Sequence, residues 1–246
     1  MKSFEIITIL LTSGSLLSLF FYRSKGPFLY LLFLAAIAAI VQYLSDGLRW
    51  QMLATIYILP AMFITYKYKI VNRFTGTILG AWFLISAFIP WAVPVFTMPA
   101  PEGDFSIGSE TFHWIDSSRL EWFTDENDND VREIMVQVWY PSEDLNSIDP
   151  NPYMDFINLR SKTLASAGKI PAFLPSHLDM ISTNTRNDAD CSGKLAKYPV
   201  FIFSHGITGS RHLHQILFEH LASKGYIVFA PDHSFDANLT LSLIHI

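Results

Sequence analysis

Charge is nearly absent from the first hundred residues and ordinary in the rest, and this asymmetry limits the possible folds more than any single motif. Over the whole chain 50% of residues are hydrophobic and only 16% are charged, against about 25% charged in a typical soluble domain. The depletion is concentrated in four apolar runs at 6–22, 27–44, 50–66 and 76–96. Each approaches the ~20 residues that an α-helix needs to cross ~30 Å of hydrocarbon, and a helix satisfies its own backbone hydrogen bonds there. Tyr22, Tyr43, Trp50, Tyr66 and Trp91 lie near the ends of the runs, where an aromatic belt would form. The expected organisation is therefore a multi-span α-helical membrane region at 1–98, a linker at 99–104 and an α/β domain at 105–240.

The segments joining the runs carry Arg23 and Lys25, then Asp46 and Arg49, then Lys67, Lys69 and Arg73. Five Lys/Arg on one side against Lys2 and Arg49 on the other predict that both termini face away from the cytoplasm. The expected location is a multi-pass position in the cell membrane, with bilayer lipid as a partner and the second domain extracytoplasmic. A cleaved signal peptide is the competing reading of the first run, but no clear small-x-small cleavage site follows it before Arg23. Four such runs in succession also argue against buried helices of a soluble protein. Pro60, Pro90 and Pro94 read as packing kinks, because neighbouring helices can re-satisfy the freed carbonyls. No ionisable residue is expected deep in the bilayer, which gives a transporter little support.

A net charge of −5 with no basic stripe gives no reason to expect a nucleic-acid partner. The lone Cys191 excludes an internal disulfide and a cysteine zinc site. His205, His212, His214 and His220 raise the idea of a metal, but 212 and 214 are two apart on an expected helix and face different ways. Neither metal nor cofactor is expected.

In the second part, 105–116 is rich in aromatic and β-branched residues, 126–130 is a polar turn, and 131–140 alternates with Ile134, Val136, Val138 and Tyr140 on one face. An antiparallel strand pair is expected there. A helix is expected near 153–167 and a surface loop at 184–190. The run 198–203 is continuously apolar, as a strand buried on both faces would be. A glycine-bearing turn at 204–210 follows. A helix at 211–224 then shows Leu213, Ile216, Leu217 and Leu221 on one face, with Ser210 as its cap and Gly225 ending it. A second apolar strand, 226–230, completes a βαβ unit and implies a parallel pair.

Three segments carry a resemblance to the α/β-hydrolase superfamily, and more narrowly to bacterial relatives of the platelet-activating-factor acetylhydrolase (type II) lipases and esterases. They are Phe105-Ser-Ile-Gly-Ser-Glu-Thr with Asp116-Ser-Ser-Arg and Arg132-Glu-Ile-Met-Val-Gln-Val-Trp-Tyr-Pro; Tyr198-Pro-Val-Phe-Ile-Phe-Ser-His-Gly-Ile-Thr-Gly-Ser-Arg; and Leu221-Ala-Ser-Lys-Gly-Tyr-Ile-Val-Phe-Ala-Pro-Asp-His. The Trp-Tyr-Pro and Phe-Ser-His-Gly pieces together are the specific part. The resemblance implies that 105–240 is the N-terminal half of an α/β-hydrolase domain. It also implies that the loop after the third strand of that fold donates one oxyanion-hole N–H. By position Ile207 would supply it, with Gly206 allowing close approach and His205 shaping the loop. Asp232 and His233 invite a dyad reading, but adjacent residues diverge and the superfamily takes its acid and base from later in the chain.

The 246 residues contain no Gly-x-Ser-x-Gly. The resemblance places nucleophile, acid and base, in that order, beyond 246, so no catalytic triad is expected in this stretch and it is expected to be inactive. Residues 241–246, Leu-Ser-Leu-Ile-His-Ile, resemble a translation of a transposase-based sequencing adapter and are expected to be foreign to the protein. The implied activity of the full-length parent is that of a membrane-anchored carboxylic ester hydrolase acting on ester or phospholipid-like substrates. The alternative is a non-enzymatic membrane sensor or assembly protein with a hydrolase-like external domain.

Overall fold

The computed structural model describes residues 2–22, 25–124, 129–143 and 150–240. The expectations for 241–246, for 126–128 of the polar turn and for Arg23 lie outside them. The chain divides into two compact units, Met1–Phe96 and Thr97–Ile246.

The first unit holds four helices: α1 (Ser3–Phe21), α2 (Gly26–Asp46), α3 (Trp50–Lys67) and α4 (Arg73–Ala92). Three of them, α1, α2 and α4, are long and apolar enough to cross a membrane. The fourth expected span, α3, is less apolar because it carries Gln51, Thr55, Thr65 and Lys67. Helix α4 starts at Arg73 rather than 76. Asn72 caps it, accepting the Thr75 N–H at 3.0 Å while the Thr75 hydroxyl faces the Asn72 N–H at 3.1 Å. Hydropathy alone does not register that polar first turn.

The packing of α1 is inside-out, while α2 and α3 give the unit an apolar core around Phe28, Leu32, Ile58 and Met62. Helix α1 buries Glu5, Thr8, Thr12, Ser15 and Ser18 and exposes Ile6, Ile7, Leu10 and Leu17. The buried hydroxyls find carbonyls: Thr12 Oγ1 on Thr8 O at 2.7 Å, Ser15 Oγ on Phe28 O at 3.3 Å and Thr55 Oγ1 on Ser86 O at 3.3 Å. Trp82 Nε1 donates to Ala54 O at 3.0 Å. Small and hydroxylated residues at helix contacts, with large apolar ones outward, suit a solvent that does not drive apolar groups together. At one end Glu5 and Arg49 form a fully buried ion pair, and Lys2 meets Asp46 at 3.0 Å.

The second unit is a mixed sheet built from β1 (Ser106–Leu120), β2 (Val131–Ser142), β3 (Pro150–Pro152), β4 (Ser182–Asn187), β5 (Val200–Ile202) and β6 (Ile227–Asp232). Its order is β3-β4-β1-β2-β6-β5. β1 and β2 pair antiparallel, as their alternation predicts, while β6 pairs antiparallel with β2 and parallel with β5. Two further helices are α5 (Ile157–Gly168) and α6 (Gln215–Ser223). The β5–α6–β6 stretch is the expected βαβ unit. Gly225, at φ +93°, reverses the chain between α6 and β6 in a conformation that L side chains avoid.

Three local expectations change. Residues 182–187 form a strand, not a surface loop: Thr185 and Asn187 continue the sheet by pairing parallel with β1. β5 is exposed rather than sandwiched, with Ile202 74% accessible, because it ends the strand order. Helix α6 is rotated from its predicted face. Phe218 and Ala222 enter the core with Ile107, Trp139, Val228 and Ala230, whereas Leu213, Ile216 and Leu217 face outward. The rotation follows from two contacts. The Phe218 ring lies 5.0 Å from Trp139, and Glu219 is buried against β4, accepting from Thr185 Oγ1 at 2.9 Å and Asn184 Nδ2 at 2.8 Å.

Candidate active-site loop

The carboxyl ends of β5 and β6 lie side by side, and the segments leaving them, 203–214 and 233–240, build one edge together. In open α/β sheets this is the edge where ligands bind. Its organiser is His205, which is buried. Its Nδ1 lies 2.8 Å from the Gly206 carbonyl and its Nε2 lies 3.0 Å from the His233 backbone nitrogen. A carbonyl can only accept and a backbone N–H can only donate, so the ring is the neutral tautomer with its proton on Nδ1.

That tautomer fixes a peptide plane. The Gly206 carbonyl accepts from His205 Nδ1 and also from the Gly209 N–H at 2.9 Å. In a trans peptide the next N–H points opposite to the carbonyl, so turning Gly206 O inward turns the Ile207 N–H outward. Among the described residues that N–H has no acceptor, and the Ile207 side chain is 85% accessible. Thr208 follows at φ +60°, a conformation that is a real outlier for a β-branched residue. It is held there because its N–H reaches Asp236 O at 2.8 Å while Gly209 O accepts from the Asn238 N–H at 2.8 Å. Nothing lies within 4 Å of where a Gly206 Cβ would sit.

Beneath the loop is a buried ionic quartet. Arg211 binds Asp232 through its main-chain N–H at 2.8 Å and through Nη1, and it reaches Asp155 through Nη2. Arg160 Nε contacts Asp155 Oδ1 at 2.6 Å and its Nη2 approaches Asp232 at 3.8 Å. Two guanidiniums and two carboxylates balance, as buried charges must. Burial pushes the Asp155 carboxyl up, but the His212 ring and the Arg211 and Arg160 charges outweigh it and hold it below its ordinary value. Burial, reinforced by Arg211, drives His212 well below the usual imidazole range. It is therefore neutral at pH 7, and the two arginines carry the stabilisation of Asp155 there.

The remaining candidates fall into place around this frame. Asp232 and His233 diverge: the carboxylate joins the quartet, while His233 Nε2 sits 2.7 Å from Ser204 Oγ. Burial and the neighbouring His205 lower the His233 pKa. Ser210 is not the cap of α6, which begins five residues later; its Oγ faces the His212 N–H at 3.4 Å. The four histidines do not converge, His214 packing on Phe203 with ring centres 5.0 Å apart. Among the described residues no group of three or more His, Cys, Asp or Glu is placed to hold a metal. Sequence reasoning missed the quartet. Arg211 and Asp232 stood inside the quoted motifs, but Asp155 and Arg160 come from a stretch whose only signal was an irregular helix.

Comparison with known proteins places this loop in context. Residues 93–242 match the family model described as platelet-activating factor acetylhydrolase, isoform II. Among solved structures, a ferulic acid esterase from Streptomyces cinnamoneus is 30% identical with a TM-score of 0.46, covering 58% of this chain. This chain spans 38% of the length of that esterase. No curated protein matches.

Proposed function

The chain belongs to the platelet-activating factor acetylhydrolase, isoform II, family, and from that premise we propose that it is the membrane-anchored, oxyanion-hole-bearing part of a carboxylic ester hydrolase. On this reading the parent acts on ester or phospholipid-like substrates. This stretch would supply the oxyanion loop of that enzyme; no Gly-x-Ser-x-Gly nucleophile elbow occurs in the 246 residues. The single observation that carries the proposal is the outward Ile207 N–H, fixed by the doubly bonded Gly206 carbonyl. A preorganised donor of this kind stabilises the negative charge that develops on a carbonyl oxygen during acyl transfer. Ile207 would donate, Gly206 would leave the approach open, and His205 would hold the peptide plane.

Anchoring is supported by the three apolar helices and by the inside-out packing of α1. We place the second unit on the extracytoplasmic side. Lys25, Lys67, Lys69 and Arg73 lie at one end of the helices, whereas Lys2 and Arg49 at the other are tied to Asp46 and Glu5.

The test uses the full open reading frame and short-chain p-nitrophenyl esters. Ile207→Pro deletes the N–H and should cost about 10²–10³ in kcat, the usual effect of losing one oxyanion donor. Ile207→Ala keeps the N–H and should stay within severalfold of the parent. No hydrolysis by the full-length protein, or equal kcat for the two variants, would reject the assignment.

A further inference from the structure

A second cavity of about 600 Å³ opens on the same sheet edge. Its walls come from the end of β1, the start of β2 and residues 234–240. That last stretch is the one whose Asp236 and Asn238 backbone groups hold the Thr208–Gly209 turn, so the cavity and the proposed oxyanion loop share a wall.

Three carboxylates line it: Glu121, Asp130 and Glu133. Glu133 is committed, with Oε2 2.7 Å from His113 Nε2. Glu121 is not. Its residue accessibility is 9%, and Oε1 accepts the Trp122 N–H at 2.9 Å. Oε2 is buried with no donor among the described residues. Thr240 Oγ1, on the same cavity, is also buried and unpartnered. Asp130 has no ion-pair partner among the described residues. Phe235 forms an aromatic wall, its ring 5.3 Å from Phe123.

Buried acceptors left without donors are uncommon, because desolvating them costs more than a made hydrogen bond returns. The lining calls for a definite chemistry: positive charge to balance the carboxylates of Glu121 and Asp130, and N–H groups to reach Glu121 Oε2 and Thr240 Oγ1 beside an aromatic face. We propose that this cavity binds a primary ammonium group. A quaternary ammonium has the charge but no N–H, so it would leave both acceptors unpaired. A divalent cation suits the site poorly, since no metal-binding group of three or more ligands forms among the described residues. Resting on the hydrolase reading, this identifies the substrate class as esters carrying a primary amine near the scissile bond; the binding itself does not depend on that reading.

The experiment titrates the whole chain in lipid nanodiscs with n-butylammonium and with n-butyltrimethylammonium, by calorimetry and NMR. n-Butylammonium should bind saturably and at least tenfold more tightly than its trimethyl analogue. Glu121→Gln should weaken it at least tenfold, and Ca²⁺ should not displace it stoichiometrically. Absence of saturable binding, equal affinity for the two amines, an unaffected Glu121→Gln protein, or stoichiometric displacement by Ca²⁺ would each overturn the proposal. The comparison of the two amines needs no variant, so it stands even where Glu121→Gln fails to fold. Amine binding in a parent that hydrolyses no ester would sink the hydrolase reading alone, and hydrolysis without amine binding would sink this one.

Discussion

Replacing Asp232 with Asn tests whether the buried quartet holds the 204–210 loop. The substitution keeps the volume and one oxygen but removes a charge. Arg211 and Arg160, whose side chains are 1% and 3% accessible, would then face Asp155 alone. One unit of positive charge is left buried, and breaking a buried pair in this way costs about 3–5 kcal/mol. That is a large share of the 5–15 kcal/mol that stabilises a whole domain. At 1.4 kcal/mol per factor of ten, amides that exchange through opening of this region should exchange about two to three and a half powers of ten faster. Hydrogen–deuterium exchange on the full chain in nanodiscs reads it, on peptides covering 207–213 and 227–232. The double variant Arg211→Met/Asp232→Leu removes both partners and leaves the 2.6 Å Arg160–Asp155 pair, so it should cost less than Asp232→Asn alone. A rise of less than tenfold in the single variant refutes the reasoning, as does a double variant whose cost equals the sum of its two singles.

Gly103→Ala would put a Cβ 2.0 Å from the Ser223 carbonyl oxygen, and such overpacking against backbone should destabilise the second unit by about 1–3 kcal/mol, seen as a lowered melting temperature. Acid should weaken the loop region in two steps. His212 is held below its unfolded value of 6.5, so stability falls as pH drops below 6.5; Asp155 is held below 3.8, so a second loss follows as pH falls past 3.8. His212→Phe should remove the first step from an exchange-versus-pH profile, and a profile unchanged by it would contradict the neutral buried ring. Glu5→Gln strips Arg49 of its fully buried partner and should cost the helical unit about 3–5 kcal/mol, measured as loss of folded protein in a detergent titration. Cys191, the sole cysteine and exposed, reports orientation: a membrane-impermeant maleimide should label it in intact cells, and labelling only after lysis would reverse the proposed topology. Burial and Glu143 raise its pKa, so the labelling belongs at mildly alkaline pH.

The parts legible in the sequence are those set by local periodicity. Four helices follow from four apolar runs, the β1–β2 pair from period-two alternation, and the βαβ unit from an apolar run, a glycine turn and a second run. The misreadings of 182–187 and of α6 share one cause, a contact partner far away in sequence. Polar Ser-Thr-Asn-Thr-Arg-Asn at 182–187 becomes a strand only because β1 offers it an open edge. Helix α6 shows apolar residues on two faces, and the choice is made by Trp139 and by the β4 groups that bind Glu219. The inside-out face of α1 was likewise invisible to hydropathy, which averages around a helix and cannot tell an inward Thr12 from an outward Leu10.

The same distinction separates naming the loop residues from explaining them. His-Gly-Ile can be picked out of the sequence, but the direction of one N–H belongs to a peptide plane, and a plane is fixed only by what holds its other end. Here that end is the Gly206 carbonyl, held by an imidazole whose tautomer is set in turn by the His233 N–H at the end of β6. Moving β6 relative to β5 would displace the imidazole, release the carbonyl and let the plane rotate. The quartet resists that motion, because Arg211 follows the loop and Asp232 precedes His233, and their bond ties the two strand ends together. The direction of the Ile207 N–H thus depends on charges outside the loop itself, which is why a motif of three residues needs the packing of at least four elements behind it.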